Sequence, residues 1–168
     1  MGDPLVADAT GSPTDRKLDA IGLVLESAAG IERVFGRRLE RDAGISIQWF
    51  DVLVRLVRTP GHQLRMSDLA AQTTLSVSGL TRAVDRLVEA GLVVREACTS
   101  DRRVAYATLT DAGRERIGAA IAVHSAHVDE VLGGELTTAD LEALAALLRK
   151  LRALVNPEAA RASACPPG

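Results

Sequence analysis

Apolar side chains recur along the first part of the chain at alternating spacings of three and four: Leu18, Ile21, Leu25, Ala28, Phe35 and Leu39, with Glu32 the one interruption. That is the period of a single helical face, and it predicts a long helix from about Thr14. The helix should end at Asp42-Ala43-Gly44, where glycine can take the left-handed C-terminal position. A second helix is expected after Ser46, burying Phe50, Leu53, Val54 and Val57 and stopping before Thr59-Pro60-Gly61. Two short helices joined by a tight turn follow. Leu69 and Ala70 sit on the first, and Leu80, Val84, Leu87 and Val88 lie on one face of the second. Ser76 is placed to cap the second and Gly91 to end it. The segments "LVVREA" and "RVAYATL" alternate in the manner of two antiparallel strands around the Cys98–Asp101 connection. Thr110 can cap another long helix carrying Ile117, Ile121, His124, Val128 and Val131, which "GGEL" breaks. Thr137 and Asp140 then open a last helix with Leu141, Leu144, Leu148, Leu151 and Val155.

The order that emerges is two helices, a helix-turn-helix, a β-ribbon and two helices. The expected fold is mainly α with a small β-wing: a winged helix-turn-helix lobe over 46–110, with dimerisation helices from both termini over 14–44 and 111–156. Residues 14–156 form one domain in this reading, and residues 1–13 and 157–168 are expected to be disordered tails. With 168 residues and 47% hydrophobic content the chain can bury one core. It cannot also cover both outer apolar seams, which predicts a homodimer closed by them.

Charge narrows the partners. The net charge is −2, so any nucleic-acid surface has to be a local patch. No apolar run is long enough to cross a bilayer, the first residues carry no basic-then-apolar signal pattern, and two cysteines build no disulfide framework. A cytoplasmic protein without membrane contact is expected. Within the central lobe, Ser76, Ser78, Thr81, Arg82 and Arg86 fall on or beside the solvent face of the second short helix. Serine, threonine and arginine there suit phosphates and base edges in a major groove. The ribbon beyond it is a wing, and Arg102 or Arg103 at its tip can enter a narrow, electronegative minor groove. Asp101 is expected to orient that tip by pairing with a base such as Arg95. Asp85 and Glu89 on the same helix also allow a plain solvated face.

From Leu64 to Glu115 the sequence resembles the MarR family of winged helix-turn-helix regulators. The resemblance lies in the helix exit "RLVEAGLVVR", the Asp-x-Arg of the wing at Asp101 and Arg103, and "LTDAGR" opening the next helix. It implies an obligate dimer on double-stranded DNA with a palindromic operator, acting as a repressor released by a small aromatic or phenolic ligand or by oxidation. Arg65 departs from the pattern where Ser or Thr usually caps the first short helix, and Thr74 departs where a turn glycine is usual.

The resemblance places an effector cleft between the dimer helices and the DNA-binding lobe, with Phe35, Trp49, Leu53 and His124 as candidate lining and Arg33, Arg37 or protonated His124 as carboxylate partner. Cys98, among Arg95, Arg102 and Arg103, is the alternative sensor, through oxidation; Cys165 has no assigned role. His124 and His127, three apart on a helix, lack a third local ligand, so His124 reads as a packed core residue. No paired nucleophile and base, phosphate loop or metal motif is present, so no catalytic residue, metal or cofactor is expected. A winged-helix interaction module without DNA binding is the remaining functional alternative.

Overall fold

In the computed structural model, which describes residues 13–97 and 104–160, α1 runs Pro13–Arg38 and closes in a wider π-helical turn, Leu39–Ala43. Gly44 ends it at φ 57°, a left-handed conformation that costs a residue without Cβ nothing. α2, Ile47–Arg58, starts at Ser46, whose hydroxyl accepts the Trp49 amide hydrogen. α3, Met66–Gln72, and α4, Val77–Glu89, make the helix-turn-helix. α5 spans Asp111–Leu132 and α6 Thr138–Val155. Thr110 caps α5 through the Gly113 amide, and Thr137 and Asp140 form a reciprocal capping box on α6. No described helix is long and apolar enough to cross a membrane.

The expected two-stranded ribbon is a three-stranded antiparallel sheet. β2, Val93–Ala97, and β3, Ala105–Leu109, form the ribbon, and β1, Gln63–Arg65, adds to the free edge of β3 in the order β1-β3-β2. β1 is three residues long with only Leu64 buried, too short for alternation to register. Leu64 opposes Ala107, and Val93 opposes Leu109, so the sheet's apolar face closes the lobe's core.

That core draws Val52, Leu53 and Leu56 from α2, Leu69 from α3, Leu80, Val84 and Leu87 from α4, and Ile117 and Ala120 from α5. Each fully enclosed leucine or isoleucine contributes about 1.5–3 kcal/mol relative to exposure. Two expected core positions shift. Val88 is exposed because Ala83 takes the inward place on α4, and Val57 is only half-buried at the end of α2. Part of the tail expected from 157 onward is ordered: Pro157–Ala160 forms a 3-10 turn that packs on α3, with Ala159 buried.

Both departures from the family pattern are absorbed locally. Arg65 has the extended backbone of a cap residue but makes no side-chain cap. Its Nε instead donates to Tyr106 Oη at 2.8 Å, and its guanidinium lies 5.8 Å from the Tyr106 ring centre. Thr74 needs no positive φ, since among the described non-glycine residues only His62 has one. Its amide donates to Asp51 Oδ2 at 3.2 Å.

Candidate nucleic-acid interface

α4 buries Leu80, Ala83, Val84 and Leu87, and a 3.6-residue period then directs Ser78, Arg82, Arg86 and Glu89 to the opposite side. All four are exposed. Arg82 and Arg86, four apart, stand on neighbouring turns, and among the described residues neither has a hydrogen-bond or ion-pair partner. Ser76 Oγ accepts the Gly79 amide at 3.2 Å and lies 3.3 Å from Ser78 Oγ. Its oxygen is occupied by the helix start. Thr81 donates back to Val77 O at 3.0 Å and flanks the face rather than centring it.

The wing's base is tied to α4. Arg95 on β2 pairs with Asp85 at 3.5 Å, so one of the two carboxylates on the α4 face is matched by a cation. Among the described residues Asp85 is thus the partner of Arg95; Asp101, the expected partner, lies outside them, as do Arg102, Arg103 and Cys98. Thr108 Oγ1 accepts from Gln63 Nε2 and donates to Glu96 Oε2, a polar row across all three strands.

Behind the helix-turn-helix, a cleft of about 740 Å³ opens between α1, α2, α5 and the α3–α4 turn. Ile31 and Glu32 come from α1; Phe50, Asp51, Val54, Arg55 and Arg58 from α2; Thr74 and Leu75 from the turn; Ile121, His124 and Ser125 from α5. Of the four expected lining residues, His124 is on the wall. Phe35 is buried beside it, its ring edge-on at 5.1 Å, and Phe50 packs on it at 4.8 Å. Trp49 and Leu53 are not on the wall. The helical period puts them on the far side of α2 from Asp51, Arg55 and Arg58, where Leu53 is fully buried and Trp49 packs on the core.

The cations are rearranged too. Arg33 and Arg37 border a separate cavity of about 370 Å³ rather than the main cleft. Burial, and then the neighbouring His127, hold the His124 pKa below its ordinary value, so a neutral imidazole faces the cleft. Its Nδ1 is buried with no partner among the described residues. The positive groups at the cleft are Arg55 and Arg58. Arg55 donates twice to Asp51 Oδ1, at 3.1 and 3.0 Å, while the other Asp51 oxygen holds the Thr74 amide. Asp51, Arg55 and Arg58 escaped the sequence reading, although acid and base four apart on a helix is a visible pairing signal.

The model of the MarR family matches residues 43–104, the helix-turn-helix and the first half of the wing. The chain is 33% identical over 126 residues to the HTH-type transcriptional regulator FarR of Neisseria gonorrhoeae, covering 73% of this chain and 85% of that one. The chain belongs to the MarR family. As a MarR-family protein it is a DNA-binding transcriptional regulator, not an enzyme. It is 31% identical over 94 residues to YdgJ of Bacillus subtilis, a match that spans 56% of that regulator's length. Among solved structures, Sco3205 of Streptomyces coelicolor, a MarR family regulator in complex with DNA, superposes at a TM-score of 0.74. It is 31% identical, over 90% of this chain and 94% of that one.

Within this MarR-family chain the other histidine is the buried one. The inward stripe of α5 runs Gly113, Ile117, Ala120, His124 and His127, and of these His124 is half-buried where it borders the cleft. His127 Nε2 lies 2.9 Å from Asp42 Oδ2, in the π-helical turn that ends α1. Hydrogen bonding from Arg41, above all, and then from His127 takes the Asp42 pKa down to about 2. Arg38 adds a bidentate pair to Glu130, at 2.6 and 3.0 Å, so α1 and α5 are joined by two side-chain contacts one turn apart. Among the described residues no three His, Cys, Asp or Glu side chains are grouped to hold a metal ion.

Proposed function

We propose that the protein is a homodimeric repressor, acting in the cytoplasm, that places α4 in successive major grooves of a palindromic operator. The exposed Ser78–Arg82–Arg86 row, set opposite the buried side of α4 and with both arginines free of competing partners among the described residues, carries this reading. Arg82 and Arg86 read bases or phosphates there, Ser78 and Thr81 reach phosphate, Ser76 holds the helix start, and Arg95 steadies the wing against Asp85. Arg102 and Arg103 supply the minor-groove contact, with Asp101 orienting them. The DNA held by Sco3205 supports the assignment by kinship. The unmatched apolar residues of α1 and α6 supply the dimer seam. Selection from a random duplex pool tests it. Recovery of an inverted repeat with half-sites about one helical turn, or 10 bp, apart is expected. A pool that stays random would refute it.

The cleft is the effector site in this reading. Its apolar walls accept an aromatic ring, its neutral His124 offers a hydrogen bond, and Arg58 takes the carboxylate because Arg55 is engaged by Asp51. Salicylate is expected to weaken operator binding about 5- to 150-fold, with DNA weakening salicylate binding by the same factor. Arg58→Ala should raise the salicylate concentration for half-release about tenfold. An unchanged half-release concentration in a gel shift would remove Arg58 from the site.

A further inference from the structure

We infer that Asn156 is a positioning residue that fixes the helix-turn-helix against the dimer helices, and so sets the separation of the two recognition helices. The inference rests on the homodimer reading above.

α6 carries much of the apolar seam, yet none of its residues is buried within its own chain. No packed face therefore orients it on the lobe. Its C-terminal end is seated instead. Asn156 Nδ2 donates to Ala71 O at 2.8 Å, Asn156 Oδ1 accepts the Ala159 amide at 3.2 Å, and Ala159 is buried as the 3-10 turn packs on α3. Ala71 lies in the last turn of α3, where carbonyls have no partner within the helix. Leu69 O is satisfied by the Thr73 amide and Ala71 O by Asn156. The two contacts also fix the amide's orientation, since a carbonyl needs its nitrogen and an amide hydrogen its oxygen.

The location gives the contact its leverage. Ala71 precedes the turn that leads into α4, and the next part of that turn, Thr74, is held by Asp51 of α2. The end of α3 is thus gripped from α2 on one side and from the end of α6 on another. A shift of α6 in the dimer seam moves the turn, and with it α4.

Nitroxide labels on Glu89→Cys, at the exposed end of α4, in a Cys98→Ser/Cys165→Ser background, read this separation in the full-length dimer by pulsed electron resonance. The parent should give one narrow distance distribution. Asn156→Asp keeps the acceptor for Ala159 but loses the donor to Ala71. It should broaden the distribution while light scattering still reports a dimer, as the docked-to-undocked ratio falls about two- to tenfold with one hydrogen bond lost. Ala159→Glu, which forces the turn off α3, should broaden it likewise and serves if Asn156→Asp does not fold. Superimposable distributions in an intact dimer would overturn the assignment. So would a monomeric Asn156→Asp protein, which would make Asn156 an interface residue. A monomeric parent would refute the dimer reading itself, and the inference with it.

Discussion

Gly113→Val is expected to unfold the DNA-binding lobe, and even Gly113→Ala to cost about 1–3 kcal/mol or more. A Cβ on Gly113 would overlap the carbonyl oxygen of Leu92 and stand 2.8 Å from Leu109 Cδ1. Neither can retreat. Leu92 O accepts the Thr110 amide at 3.1 Å, and Thr110 Oγ1 bridges Gly91 O and the Gly113 amide, so the start of α5 is bolted to the exit of α4. Leu109 belongs to β3 and the core. Gly118→Ala, one turn on, is the control: nothing lies within 4 Å of its Cβ. By helix propensity alone it should be neutral or stabilising by about 1 kcal/mol. Thermal unfolding followed by circular dichroism separates the two, and a wild-type melting temperature for Gly113→Val would show the crossing to be looser than described.

The second large effect is on assembly. Leu144→Glu/Leu148→Glu should give a folded monomer with operator binding lost. Leu144 and Leu148 are 47% and 41% exposed within the chain, so two glutamates there disturb no core of the protomer. In a closed seam each would be an unpaired charge cut off from water, at a cost no dimer of this size would absorb. Light scattering should report the monomer mass and far-ultraviolet dichroism an unchanged helix content. A dimer that survives both substitutions would place the interface elsewhere.

Helix starts were legible because capping is local chemistry. Ser46, Ser76, Thr110 and Thr137 each receive the amide hydrogen expected of a cap, and Gly44 ends α1 in the left-handed region. β1 was not legible, because a three-residue strand exists only through its pairing with β3. The outward face of α4 followed from period alone. The cleft did not. Trp49 attracts notice as a rare aromatic, but the phase of α2 turns it away from the space that Asp51, Arg55 and Arg58 border. His124 packs against Phe35 and Phe50, in keeping with its place in the apolar stripe, but nothing marked His127, which α5 buries against Asp42 from a turn 85 residues earlier in the chain. Non-local partners of this kind leave no mark in spacing.

If α4 reads DNA through Arg82 and Arg86, replacing either arginine changes operator affinity in a way one titration resolves. Wild type, Arg82→Ala and Arg86→Ala are titrated against the selected operator, and against each single-base variant of one half-site, at fixed physiological salt. Each substitution should lower affinity by about 1–3 kcal/mol where the arginine reads a base, and relax preference at that base pair alone. An arginine that holds only phosphate should weaken all variants alike and flatten the dependence on salt. Operator affinity and base preference unchanged in both mutants would contradict this role of α4.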